Sequence, residues 1–198
     1  SEFVHLHNHS DYSLLDGAQR VDQLVDTIDD LNMDSLALTE HGNMFSVVPF
    51  YNQAKNTGIK PIIGCETYVA VGSRHNKKPP AGGGWGNNHL ILLVQNQSGY
   101  QNLMKLVTAG YLEGFYYRPR IDMDLLEQYS EGLICLSGCL KGEIPEKMLK
   151  GDYEGAKNAA LKFSEIFHDR FYLEVQNHGI PEEEVNIENM KKLSKELS

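Results

Sequence analysis

The stretch that decides the fold is Val4-His5-Leu6-His7-Asn8-His9-Ser10. It holds three of the eight histidines of the chain, at alternate positions. Because side chains two residues apart lie on the same face of a β-strand, the spacing predicts a strand that presents His5, His7 and His9 together. Imidazole suits transition metals such as zinc, iron and nickel. A His-x-His pair is also common by chance on protein surfaces, so the rest of the sequence has to decide between a surface feature and a metal site.

Helices and strands alternate after this stretch. Apolar residues at helical spacing predict a helix over residues 19–31, and a short apolar run predicts a buried strand over 35–39. A second helix is expected over 45–56, with Gly58 as its stop signal, and a third strand over 61–71. The order β-α-β-α-β favours parallel strands joined by crossover helices, in an open sheet or a barrel.

Polar residues fall at the carboxyl ends of these strands. His7 and His9 end the first strand, His41 follows the second, and Glu66 lies in the third. Function gathers at this edge in parallel α/β folds. Since chance placement at three strand ends is rare, the recurrence favours a metal site over scattered surface histidines.

The second half of the chain continues the mixed pattern. Residues 74–88 are rich in Gly, Pro, Lys and Asn and predict a loop; no Gly-Lys-Ser/Thr follows Gly82-Gly83-Gly84, which excludes a phosphate-binding loop of that type. Strands are predicted over 89–94, 133–137 and 170–175, and helices over 99–113, 143–149, 153–167 and 181–197.

Composition narrows the class of protein. An apolar content of 41% predicts a globular core, and no apolar run approaches the ~18–20 residues of a membrane span. Three cysteines without a CxxC pair favour a reducing compartment, and no secretory signal precedes the first strand, so we expect a cytoplasmic protein. Cys65 and Cys135 are expected to be small buried side chains.

The formal charge of −9 makes the chain a poor stand-alone binder of nucleic acid, since phosphate contacts dominate that affinity. A nucleic-acid substrate delivered by another domain stays compatible with this charge. The stretch Phe115-Tyr116-Tyr117-Arg118-Pro119-Arg120 supplies two weak candidates for DNA contact, Arg118 and Arg120. The same stretch could instead pack against a neighbouring domain.

Several motifs resemble those of the PHP (polymerase and histidinol phosphatase) domain family. They are His5-Leu6-His7-Asn8-His9-Ser10, Asp16-Gly17, Thr39-Glu40-His41-Gly42-Asn43, Pro61-Ile62-Ile63-Gly64-Cys65-Glu66 and Leu136-Ser137-Gly138-Cys139. A narrower similarity is to the N-terminal PHP domains of bacterial DNA polymerase III alpha subunits. Its motifs are Tyr12-Ser13-Leu14-Leu15-Asp16-Gly17, Gly99-Tyr100-Gln101-Asn102-Leu103 and Gln176-Asn177-His178-Gly179.

The resemblance covers nearly the whole chain and implies an α/β fold, a distorted (β/α)7 barrel with up to three metal ions at one mouth. One ion would take His7, His9 and Glu66. A second would take Asp16 and His41, and a third would share Glu66 and take His89 and Cys139. A thiolate favours zinc, although Mn2+, Mg2+ or Fe2+ stay open, and Cys139 could also be an ordinary buried thiol. His5 and His178 are expected to orient ligands or to lie near the mouth.

The family supplies its last ligands, an Asp-x-His pair, from a strand that this chain does not include. The sequence therefore predicts that residues 1–198 are one PHP domain that stops before that strand.

Three functions remain open. The resemblance implies a metal-dependent phosphoesterase, used as a 3′→5′ exonuclease within a DNA-directed DNA polymerase, with metal-bound water as nucleophile and no separate general base. The implied partners are the other polymerase domains, the primer 3′ end and other replisome subunits. Alternatively the domain braces the polymerase and docks a separate proofreading exonuclease, or it is a free-standing phosphatase.

Overall fold

The computed structural model describes residues 3–14, 16–78 and 86–197. The strands are β1 (Ser35–Leu38), β2 (Lys60–Ala70), β3 (Asn87–Val94), β4 (Arg120–Ile121), β5 (Leu133–Leu136) and β6 (Phe171–Tyr172). The helices are α1 (Val21–Asp30), α2 (Val47–Thr57), α3 (Gln97–Leu112), α4 (Met123–Tyr129), α5 (Glu143–Leu149), α6 (Tyr153–Phe167) and α7 (Pro181–Leu197). Within the described ranges, no helix is both long enough and apolar enough to span a bilayer.

The strands form one mixed sheet in the order β1-β2-β3-β5-β6, and β4 pairs with β2. β1 and β2 are parallel, as their crossover helix α2 requires. β3 runs antiparallel to both β2 and β5, which the expected parallel order did not include. β3 begins directly beside the end of β2, with Asn87 opposite Ala70, an arrangement that antiparallel neighbours allow. Part of the predicted loop at 74–88, residues 79–85, lies outside the described residues.

The histidine stretch is not a regular strand, so that prediction was wrong. It runs beside β1 through two backbone bonds, from Ala37 N to His5 O and from Thr39 N to Asn8 O, both 2.9 Å. The side-chain amide of Asn8 donates to Ala37 O at 3.1 Å. In a regular β-sheet a backbone N–H would donate to this carbonyl. Because the Asn8 side chain donates to it instead, the stretch makes few backbone hydrogen bonds with β1 and stays irregular.

The two ends of the sheet meet through this stretch, so the sheet is a distorted barrel. One side of residues 5–8 covers the edge of β1. The residues that follow β6 reach the same stretch from the other end, where Glu174 hydrogen-bonds to His7 at 2.7 Å. Closure therefore depends on side chains at one seam, and the structure has six regular strands in the described residues where seven were expected.

Apolar packing fixes which face of each strand is inside. A small cluster of Ala37, Ile91, Leu93 and Leu136 fills the barrel interior. Glu66 pairs directly across from Ile91, and His89 lies two residues before Ile91, so both side chains share the interior face above this floor. Cys65 and Cys135 are fully buried, as expected, in the larger core under the helices.

Most predicted helices and strands are confirmed, with bounds shifted by a few residues. Two short elements of the described chain, α4 and the two-residue β4, were not predicted. β4 begins at the last residue of the aromatic and basic stretch, and α4 follows it. The strand expected over 170–175 is regular only at Phe171–Tyr172.

Candidate metal centre

One end of the barrel brings together side chains from six parts of the chain. The histidine stretch gives His7 and His9, and the loop after β1 gives His41. Glu66 stands in β2, His89 near the start of β3, Cys139 after β5 and Glu174 after β6. Because β3 runs in the opposite direction, its amino end lies at the same edge as the carboxyl ends of β1 and β2.

Glu66 is the centre of this cluster and is almost completely buried. Its Oε2 atom lies 2.8 Å from His9 Nε2, 3.1 Å from His7 Nε2 and 3.1 Å from His41 Nδ1. Its Oε1 atom contacts His89 Nδ1. His7 Nε2 and His9 Nε2 are 3.2 Å apart. One carboxylate therefore faces four imidazoles, with each oxygen turned to a different set.

A second carboxylate, that of Glu174, orients the imidazole of His7. Glu174 Oε1 accepts a hydrogen bond from His7 Nδ1 at 2.7 Å, which leaves His7 Nε2 facing Glu66. Carboxylates that accept from the outer nitrogen of a metal-ligating histidine fix its tautomer in this way.

His9 is oriented through a hydroxyl. Ser13 Oγ lies 3.3 Å from His9 Nδ1 and donates its hydrogen to the buried carboxylate of Glu40. Ser10 Oγ donates to the same carboxylate. Since a serine hydroxyl has one hydrogen, Ser13 can only accept from His9, so His9 Nδ1 carries a proton and Nε2 is the nitrogen that faces Glu66.

The charges are coupled. Burial lowers the pKa of His7, but its hydrogen bonds to Glu174 and Glu66 outweigh burial and raise the pKa to about 10. Burial raises the pKa of Glu66, yet the hydrogen bonds from His7, His89 and His9 hold it well below its ordinary value. Burial lowers the pKa of His41, which Glu66 only partly offsets. Burial and the charge of Glu66 raise the pKa of the Cys139 thiol to about 11.

The donor set fits divalent metal ions. Two groups of side chains each bring three ligand atoms within reach of one ion: His7, His9 and Glu66, and His41, Glu66 and His89. Ligands of a tetrahedral zinc, each about 2.05 Å from the ion, lie about 3.3 Å from one another, close to the spacing here. His41 Nδ1 is buried and has no hydrogen-bond partner among the described residues, although Glu66 Oε2 is 3.1 Å away. A metal ion would satisfy that nitrogen.

The remaining expected ligands lie beside these groups. Asp16 Oδ2 is 2.6 Å from His41 Nε2 and its side chain is 54% exposed. Cys139 Sγ lies 3.8 Å from both Glu66 Oε1 and His89 Nδ1. The structure thus brings all seven residues of the expected ligand set to one mouth of the barrel.

Other predicted residues are elsewhere. His5 is exposed and packs its ring edge-on against Phe3, with centroids 5.0 Å apart. His178 pairs with Glu183 of α7 at 2.8 Å. Neither joins the cluster. Arg120 is buried, and its guanidinium donates to three backbone carbonyls, of Gly114, Arg74 and Asn76. Because Arg120 is buried and these donors bond to the protein itself, the structure does not favour its assignment as a DNA contact, which stays a prediction.

Sequence reasoning missed Glu174, Glu40 and Ser13. Glu174 could have been found from the sequence, since it is an acidic residue near the end of the strand predicted over 170–175. It also comes two residues before the motif that begins at Gln176. Glu40 and Ser13 lie inside the family motifs, next to His41 and Tyr12, and only the fold shows that they meet.

A cleft of about 750 Å³ opens beside the cluster. Asp16, His41 and His89 line it on the side of the cluster. Tyr68 lies between the cluster and the cleft: its ring stacks on His41 with centroids 6.0 Å apart, and the guanidinium of Arg118 lies 4.8 Å from its centroid. Arg118, unlike Arg120, lines the cleft.

Comparisons with known proteins agree on the family. The profile of the family described as PHP domain matches residues 5–178. The DNA polymerase III subunit alpha of Borreliella burgdorferi is 52% identical over 197 residues, covering 100% of this chain and 17% of that protein. Those of Treponema pallidum and Thermus aquaticus are 49% and 45% identical, covering 91% and 92% of this chain and 16% and 15% of their own length.

Two solved structures are similar over about half of this chain. An amidohydrolase from Chromobacterium violaceum, with sulfate and no metal, is 22% identical with a TM-score of 0.38, covering 54% of this chain and 32% of that one. A protein from Bifidobacterium adolescentis assigned as a metal-dependent phosphoesterase is 13% identical with a TM-score of 0.39, covering 56% and 34%. The family match and the similarity to polymerase alpha subunits both extend over nearly all of the sequence. The chain therefore belongs to the PHP domain family.

Proposed function

We propose that this domain is a metal-dependent phosphoesterase that hydrolyses phosphodiesters at the 3′ end of DNA, as a 3′→5′ exonuclease. The observation that carries the proposal is the buried carboxylate of Glu66, with three imidazole nitrogens within 3.1 Å of one of its oxygens. Hydrogen bonds alone do not satisfy this cluster, because His41 Nδ1 has no hydrogen-bond partner among the described residues. Bound cations would satisfy all of these nitrogens and the carboxylate together.

Each side chain has a role in this proposal. His7, His9 and Glu66 would hold one ion, and His41, Glu66 and His89 a second. Asp16 and Cys139 stand beside the second group and would complete it or hold a third ion. Bound ions would supply Lewis-acid activation of water and neutralise the charge of the phosphodiester. Zinc suits this His- and Cys-containing set, and Mn2+ or Fe2+ would also fit imidazole and carboxylate together.

The wider setting follows from the relatives. The chain spans 15–17% of the length of the polymerase III alpha subunits it matches. We propose that it serves as the PHP domain of such a replicative polymerase in the cytoplasm, with the primer 3′ end, the other polymerase domains and other replisome subunits as partners. The boundaries 1–198, and an Asp-x-His pair beyond them, stay predictions.

Metal content and turnover test the function. Purified protein should contain about two to three equivalents of metal by inductively coupled plasma mass spectrometry, and the His7→Ala/His9→Ala variant should lose at least one. The loaded wild type should shorten a primer with a mismatched 3′ end, and the variant should not. Bound metal without hydrolysis of any phosphodiester would overturn the enzymatic proposal.

A second function, metal as a structural brace, is favoured by one observation. The histidine stretch is joined to β1 by only two backbone bonds and to the opposite end of the sheet by side chains. A metal shared by His7, His9 and Glu66 would fasten that seam. In that case metal would raise the melting temperature without giving turnover.

A further inference from the structure

The outer part of the cleft is lined by aromatic rings that the metal centre does not use. Phe45 and Tyr111 are neighbours there, with ring centroids 6.3 Å apart and ring planes tilted by 42°. Phe45 is 64% exposed and Tyr111 38%. Tyr12, which is 39% exposed, lines the same cleft. We call Tyr12, Phe45 and Tyr111 the aromatic wall.

We propose that the aromatic wall is a nucleobase subsite, which stacks an unpaired base of a single strand whose phosphodiester lies at the metal cluster. The inference rests on the proposed function and names the form of DNA that it acts on. Exposed aromatic rings bind bases of any sequence, because every base presents a π-face.

The wall and the cluster belong to one cleft. Asp16, His41 and His89 line its inner end, and Phe45 follows His41 by four residues, so their Cα atoms are at most about 14 Å apart. Phe45 is fixed by its own loop, since its backbone N–H donates to Asn43 Oδ1 at 3.0 Å. A strand with its phosphate at the cluster would place a neighbouring base over this ring.

Charge inside the cleft also suits a nucleotide. Arg118 and Lys141 line it, and the guanidinium of Arg118 is held over the Tyr68 ring with one N–H donating to the Tyr68 hydroxyl. Arginine has five donors and matches phosphate well. Of the acidic side chains that line the cleft in the described part of the chain, Glu146 forms an ion pair with Lys150, and Asp16 accepts a hydrogen bond from His41. With a net charge of −9, the chain cannot depend on general attraction to DNA, so stacking has to supply much of the affinity.

Two single-stranded oligonucleotides test the inference. Both carry phosphorothioate linkages that resist hydrolysis, and they differ only at the 3′ nucleotide, thymidine in one and a tetrahydrofuran abasic residue in the other. Fluorescence anisotropy with the metal-loaded chain should show about five- to a hundredfold tighter binding of the thymidine form.

Substitutions at Phe45 test whether the aromatic wall causes the preference for the thymidine form. Phe45→Ala and Phe45→Leu should abolish it, because leucine is apolar but has no π-face, and Phe45→Trp should restore it. Tyr51→Ala removes an exposed ring of α2 outside the cleft and should leave the preference intact.

Equal binding of both oligonucleotides by the wild type, or a preference that survives Phe45→Ala, would overturn the inference and would mean that the wall serves a protein contact instead. Hydrolysis of bis(p-nitrophenyl) phosphate reports on the metal cluster separately. Turnover without base preference would leave the proposed function standing and reject the subsite. Base preference without turnover of any phosphodiester would support the subsite and reject the proposed enzymatic function.

Discussion

The hydroxyl of Ser13 orients one of the imidazoles in the candidate metal centre. Ser13 accepts from His9 Nδ1 and donates to Glu40, so its removal frees the His9 ring to change tautomer. We expect Ser13→Ala to weaken metal affinity about 10–100-fold, the usual effect of losing such a supporting contact. Titration with a chromophoric zinc chelator measures it.

Ser10→Ala is the matched control for this experiment. Ser10 also donates to Glu40 but has no hydrogen bond with His9. Its replacement should reduce stability and leave metal affinity within a few-fold of the wild type. Equal losses of affinity in the two variants would show that Glu40 only supports the loop and has no influence on His9.

The buried carboxylate of Glu183, at the start of α7, should make the stability of the protein depend on pH. Burial raises the pKa of Glu183, but the bonds that it accepts from the His178 side chain and backbone outweigh burial and hold the pKa below its ordinary value of 4.5. A depressed pKa in the folded state stabilises the protein above about pH 4.5, and this contribution is lost as the pH falls through the folded pKa.

Urea unfolding of the wild type and of Glu183→Gln at several pH values tests this dependence. The wild type should be more stable at pH 7, and the difference in unfolding free energy should shrink as the pH falls below 4.5. A difference that stays constant down to pH 3 would mean that the hydrogen bonds do not depend on the charge of Glu183.

At the scale of elements, the loop that carries Asp16 depends on one glycine. A Cβ atom on Gly17 would lie 1.6 Å from Ser10 O, so no other residue fits without moving that backbone. Gly17→Ala should cost about 1–3 kcal/mol of stability and displace Asp16 from His41. Thermal unfolding measures the first effect and metal content the second.

Gly110→Ala in α3 is the control for Gly17→Ala. Its added Cβ would have no contact closer than 3.4 Å, and alanine favours the helix, so stability should stay the same or rise. Equal destabilisation by the two substitutions would contradict the steric argument.

Periodicity predicted the long helices well, because their apolar faces repeat without ambiguity. Val21, Leu24, Val25 and Ile28 of α1 are all buried, as the spacing required. The direction of each strand was harder to predict from the sequence. The sequence of β3 is apolar in either direction, and only its pairing with β2 and β5 shows that it runs antiparallel.

The residues of the candidate site also fall into a group that the sequence predicts and a group that it does not. The five cluster residues His7, His9, His41, Glu66 and His89 are of metal-ligand type and lie in or directly after predicted strands, so the sequence could name them. Glu174 and Glu40 act through contacts across 167 and 27 positions of chain, with His7 and Ser13, and such pairs follow from the fold alone.

At the scale of the whole molecule, the barrel is closed by its own candidate site. The histidine stretch has few backbone bonds, so its order depends on His7 and His9 being held by Glu66 and Glu174. In metal-free protein the same imidazoles are held only by hydrogen bonds. Structure that depends on a bound ion should therefore loosen at the seam first when the ion is removed.

Hydrogen exchange with and without a chelator tests this expectation across the molecule. Metal removal should increase exchange at Ala37 and Thr39, whose N–H groups donate to the histidine stretch. Amides of Ile91 and Leu92 in the centre of β3, buried between two strands, should change little. Uniform loss of protection would show that metal stabilises the entire fold cooperatively. No change at Ala37 and Thr39 would show that the hydrogen bonds of His7 and His9 close the barrel without metal.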